Sequence, residues 1–74
     1  MLDEIRKLQR AIPYLPYSIE LSSGSVLRVS HQDHLWITPA GMLIVCDDAG
    51  VAEFVSPFQI TRLRVEGAVP GAAA

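Results

Sequence analysis

The sequence predicts a mostly β protein, in which one N-terminal α-helix precedes a small barrel of five or six strands. Three observations carry this. From Tyr17 to Val65 apolar residues recur in short runs, several with period-2 alternation. Turn-forming clusters interrupt those runs about every ten residues, the spacing of small barrels and sandwiches. The stretch before Pro13 has helical periodicity instead.

Residues 2–12 read as the helix. Projected at about 100° per residue, Met1, Leu2, Ile5, Leu8 and Ile12 fall in one arc and Arg6, Lys7 and Arg10 outside it. Asp3 and Glu4 near the start and the basic residues towards the end suit the helix dipole. Pro13 stops it, since a residue before proline is pushed out of the α region. Three turns are marginal alone, so the apolar arc must dock. The segment Pro13-Tyr14-Leu15-Pro16-Tyr17 is a stiff connector that joins no central ladder, with Tyr14, Leu15 and Tyr17 laid over one end of the barrel.

Ile19 and Leu21 alternate with Ser18 and Glu20 as the first strand, and Ser22-Ser23-Gly24-Ser25 is a tight turn. Val26–Ser30 is the second strand, His31-Gln32-Asp33-His34 a polar turn, and Leu35-Trp36-Ile37 the third strand. Met42–Cys46, fenced by Gly41 and Asp47-Asp48-Ala49-Gly50, reads as a strand buried on both faces. Exposed, such a run would be an aggregation hazard, so something must cover it. Val51–Val55 follows, then a helical turn with Ser56 capping and Pro57 at its first position. Ile60–Val65 closes the domain, with Leu63 and Val65 facing in and Arg62 and Arg64 out. The chain is thus one domain over residues 1–66, with residues 67–74 a flexible tail.

Half of the 74 residues are hydrophobic, which is high for a small monomer. Domains of this size often gain burial by oligomerising, so a homo-oligomer is expected. The single cysteine, Cys46, excludes an intrachain disulfide and a multi-cysteine metal site. No apolar run approaches the ~20 residues of a membrane span, and the charged N-terminal segment lacks a signal-peptide pattern. The chain reads as a cytoplasmic protein without membrane contact. Net charge is −2. The Tyr17–Val65 body sets three arginines against five acidic residues, which counts against nucleic-acid binding by one copy.

The order helix, hairpin, meander, helical turn, last strand resembles the small SH3-type barrels, and more particularly the Sm-like arrangement. Ile19-x-Leu21-x-x-Gly24-x-x-Leu27-x-Val29 resembles the opening of an Sm-like first motif, and Phe58-x-Ile60-x-x-Leu63-x-Val65 its close. The sequence departs from that family where Val29-Ser30 stands in the glycine region, where no Asn exists, and where the Arg-Gly step is missing. The family's RNA-base pocket is therefore not carried over. The segment from Pro13 to Gly24 also resembles the start of a group of short uncharacterised bacterial proteins, a likeness that brings no activity.

His31, Asp33 and His34 are the one cluster of metal-ligand types, offering two nitrogens and an oxygen. Neighbouring side chains in a turn rarely converge, and Asp33 better suits a local side-chain-to-backbone bond. No metal and no cofactor is assigned. A buried, apolar Cys46 is inert, and no nucleophile, base and orienting group come together in the pattern, so an enzyme is not expected. Trp36 points away from Leu35 and Ile37 and, with Tyr14, Tyr17, Phe54 and Phe58, makes an apolar patch. Either the N-terminal helix covers it or a subunit interface does. Arg28, Arg62 and Arg64 are strand-surface charges, able to meet phosphates in a ring of copies. The leading expectation is a non-enzymatic protein-interaction or self-assembly module. The alternatives are an oligomeric Sm-like RNA-binding protein and a small metal-binding protein using the His31-Asp33-His34 turn.

Overall fold

A computed structural model of the chain describes residues 1–66, and the tail assigned to residues 67–74 lies outside them. Helix α1 (Leu2–Arg10) is followed by β1 (Tyr17–Leu21), β2 (Val26–Val29), a 3-10 turn (Gln32–His34) and β3 (Leu35–Ile37). Then come β4 (Leu43–Cys46), β5 (Ala52–Val55), a second 3-10 turn (Pro57–Gln59) and β6 (Ile60–Val65). The helix ends two residues before the expected Ile12. Ala11 is already extended, and Ile12 is 97% exposed rather than part of the apolar arc. The Ala11 N–H still donates to the Leu8 carbonyl at 3.4 Å and closes the last turn.

The strands form two antiparallel three-stranded sheets, β2–β1–β6 and β3–β4–β5, and no ladder joins them among the described residues. In the first sheet Tyr17 lies between Val29 and Val65, and Ile19 between Leu27 and Leu63. In the second, Leu43 lies between Ile37 and Val55, and Val45 between Leu35 and Glu53. Opposed residues share a face, so each sheet presents one largely apolar face inward, with Glu53 at the exposed margin of the second. A bulge between Glu20 and Leu21 shifts the β1–β6 register, and the Thr61 hydroxyl there donates to the Glu20 carbonyl at 3.1 Å.

The turns form where their residues demand. Gly24 takes φ +93°, open to glycine without strain, and its N–H donates to the Leu21 carbonyl at 2.9 Å. The Asp47 carboxylate accepts from the N–H groups of Ala49 and Val51, both at 2.9 Å, and holds the β4–β5 turn. Ser56 Oγ accepts from the Phe58 N–H at 3.3 Å, with Pro57 at the start of the 3-10 turn.

Between the sheets lies one core of Ile5, Tyr17, Ile19, Val29, Leu35, Leu43, Val45 and Val55, with Leu2, Leu8 and Leu63 packed around it. Strand β4 is central in its sheet yet is not buried on both faces. Leu43 and Val45 are covered, but Ile44 and Cys46 are only half-buried. Central position satisfies the backbone and does not supply a layer over the outer face. Val65 shares the inner face with Tyr17, but at the edge of the sheet it stays partly in solvent.

Candidate functional site

The outer face of the β3–β4–β5 sheet is built by alternation. Because Leu35, Ile37, Leu43, Val45 and Val55 point inward, Trp36, Ile44 and Phe54 point outward and stand opposite one another as a row. Cys46 and Ala52 are the next opposed pair on the same side. None of these five positions carries a charge. Trp36 is 50% exposed and Phe54 71%. Trp36 on β3 and Phe54 on β5, with Ile44 of β4 between them, leave aromatic surface in water on this face.

The structure divides the aromatic candidates. Trp36 and Phe54 share this face. Tyr17 does not belong to it, being fully buried and donating its phenol to Gln9 Oε1 at 2.8 Å. Tyr14 is half-buried and donates to the Val29 carbonyl at 2.8 Å. Burial pushes the Tyr14 phenol up to about 12 and the Tyr17 phenol higher still. Phe58 is 97% exposed on its own 3-10 turn, beside a shallow hollow shared with Met1, Leu2, Asp3, Arg6 and Pro57. The alternation that puts Ile44 beside Trp36 is hidden in the sequence, since Leu43, Ile44 and Val45 are all apolar.

The three arginines meet on the outer face of the other sheet. Arg28 and Arg64 flank Ser18, while Arg62 stands opposite Glu20 in the next row. Each has an acidic partner. Arg28 grips Glu66 through Nε at 2.6 Å and Nη2 at 2.9 Å, which raises the arginine and holds the Glu66 carboxyl below its usual range. Arg62 Nε and Arg64 Nη1 lie 3.0 and 3.8 Å from Glu20 Oε2. A hollow of about 470 Å³ over Ser18 is lined by Glu20, Val26, Arg64, Val65 and Glu66. Three guanidinium groups against two carboxylates leave a single excess positive charge here.

The His31-Gln32-Asp33-His34 segment forms a 3-10 turn, and its cap reverses the expected one. His31 Nδ1 accepts from the Asp33 N–H at 3.1 Å, so the imidazole rather than the Asp33 carboxylate closes the turn. His34 faces elsewhere: its Nδ1 lies 3.4 Å from Ser30 Oγ and 3.7 Å from Asp48 Oδ1. Among the described residues no group of three or more His, Cys, Asp or Glu side chains is arranged to hold a metal ion. The Ser30, His34 and Asp48 side chains meet, but Ser30 Oγ donates to Asp48 at 2.5 Å and both face one ring nitrogen. A hydrolytic triad needs the opposite wiring, with serine on one nitrogen and the carboxylate on the other.

Among the described residues no helix is long and apolar enough to cross a membrane. No protein-family model, curated protein or solved structure matches this chain.

Proposed function

We propose that this chain is a non-enzymatic interaction module, a small SH3/Sm-like barrel of the cytoplasm that docks protein through the outer face of β3–β4–β5. The barrel reading rests on the inner faces of the two sheets sharing one core. The docking reading rests on the uncharged row Trp36–Ile44–Phe54. Ile44 between Trp36 and Phe54 leaves apolar surface in water, which a docked partner would cover. A photo-crosslinking residue at position 54, in cells expressing the chain, tests this. Protein adducts at 54, absent from a control at the exposed position 62, are the expected result. No adduct at either position rejects the docking face.

The second reading, an oligomeric RNA-binding protein, draws its support from Arg28, Arg62 and Arg64 gathering on one face. Glu20 and Glu66 oppose it, because an incoming phosphate must compete with carboxylates already paired to those arginines. A labelled oligonucleotide titrated at two salt concentrations separates the readings. Binding that weakens steeply with salt, and on Arg64→Gln, favours RNA.

A further inference from the structure

The outer face of β2–β1–β6 gathers three arginines and two carboxylates, and we propose that its hollow over Ser18 binds a small aliphatic monocarboxylate. Arg64 holds the carboxylate, and the Ser18 hydroxyl is a second donor. The site lies on the other sheet from the docking face and does not depend on it.

The pairing within the cluster leaves one place open. Arg28 commits two N–H groups to Glu66, at 2.6 and 2.9 Å, and Arg62 Nε donates to Glu20 Oε2 at 3.0 Å. Arg64 Nη1 lies 3.8 Å from that same Glu20 oxygen, too far for a hydrogen bond. Among the described residues Arg64 therefore has no carboxylate of its own, and residues 67–74 contain no acidic side chain to supply one. It stands on β6, an edge strand, with no further strand beyond it among the described residues. Ser18, opposite Arg64 in the register, points outward between the buried Tyr17 and Ile19. Its side chain has no hydrogen-bond partner among the described residues, and it lines the hollow together with Arg64.

The same face shows which group fits. The Arg28 fork already seats one carboxylate, that of Glu66, at two points, and a carboxylate arriving on Arg64 repeats that geometry. It also brings three cations to three anions. A second negative charge on the ligand finds no partner and faces Glu20 and Glu66 in the lining, which disfavours a phosphate dianion. Val26, opposite Glu20 and 58% exposed, lines the hollow too and gives a short hydrocarbon chain an apolar wall. A nucleic-acid strand presents successive phosphates, and one uncommitted arginine meets only one of them. The hollow, about 470 Å³, has the size of a small-molecule site. Arg64 is 67% exposed, so water screens the contact and binding is weak, in the millimolar range.

Titrating hexanoate into the whole purified chain, followed by NMR of backbone amides and arginine side chains, tests the site. Signals of Ser18 and Arg64 should shift and saturate at millimolar hexanoate, while hexanol and inorganic phosphate leave them in place. Arg64→Gln should weaken binding by about tenfold or more, the cost of hydrogen bonds lost to a charged group. Ser18→Ala should weaken it by about fivefold and repeats the test should the first variant unfold. Circular dichroism checks that each variant keeps the fold. Shifts that grow without saturating, that hexanol reproduces, or that persist undiminished in both variants overturn the site. Tighter binding of phosphate, or displacement of hexanoate by an oligonucleotide, overturns the monocarboxylate as ligand.

Discussion

Tyr17 and Gln9 lock the helix to the sheets through one amide. The Tyr17 phenol donates to Gln9 Oε1 at 2.8 Å, and Gln9 Nε2 donates to the carbonyls of Gln32 at 2.8 Å and Leu35 at 3.2 Å. Gln32 Nε2 returns a bond to the Gln9 carbonyl at 2.9 Å. A short helix with Ile5 as its one fully buried side chain is thus held by polar contacts as well as by packing. Tyr17→Phe keeps the ring and strands Gln9 Oε1, and should cost about 1–2 kcal/mol in urea unfolding. It should leave any self-association untouched, because Tyr17 is inside.

Alkaline pH should unfold the chain through its two inner tyrosines. Burial raises Tyr14 to about 12 and Tyr17 further, so above pH ~10 the unfolded chain loses phenolic protons that the folded chain keeps. The unfolded state then binds fewer protons, and stability falls as pH rises. Stability should be level below pH ~10 and decline above it, and Tyr14→Phe should flatten part of the decline. Denaturant midpoints measured across that range check both.

Leu43 and Ile44 are neighbours with opposite fates, and substituting each tests the face assignment. Leu43→Ala opens a cavity in the core and should cost about 2–5 kcal/mol. That is much of the stability of a domain this small, so the variant should be largely unfolded at 37 °C. Ile44→Ala, half-buried on the outer face, should remain folded and lose less. Equal losses in thermal unfolding would mean that both faces of β4 are covered.

The Glu66 carboxyl should titrate below an ordinary glutamate because Arg28 grips it at two points. Its contribution to stability is present above the unfolded-state pKa and fades as pH falls through the lowered folded-state value. Both side chains are nearly half-exposed, so the gain is small and screened by salt. A carboxyl NMR titration should show the Glu66 midpoint rising towards the usual value in Arg28→Gln, with little change in thermal stability.

What the sequence by itself determined is local. The six strands, the turns at Gly24 and Asp47–Gly50, and the Ser56-Pro57 cap follow from residues within a few positions of one another. The helix was legible except at its end, where Ala11 is already extended one residue ahead of Ile12. Tertiary structure alone decided what lies opposite what. Met42–Cys46 reads as doubly buried because every side chain in it is apolar, and only the pairing of two separate sheets leaves Ile44 and Cys46 on an uncovered side. Tyr17 and Trp36 are both aromatic and both lie in strands. One became core and the other surface because register, not composition, sets which face a side chain occupies. The arginines looked like loose surface charges until β1 placed Glu20 between the strands that carry them, about forty residues from Arg62 and Arg64 in the chain. Periodicity records how a segment alternates, and it holds no information about which layer will lie over each side.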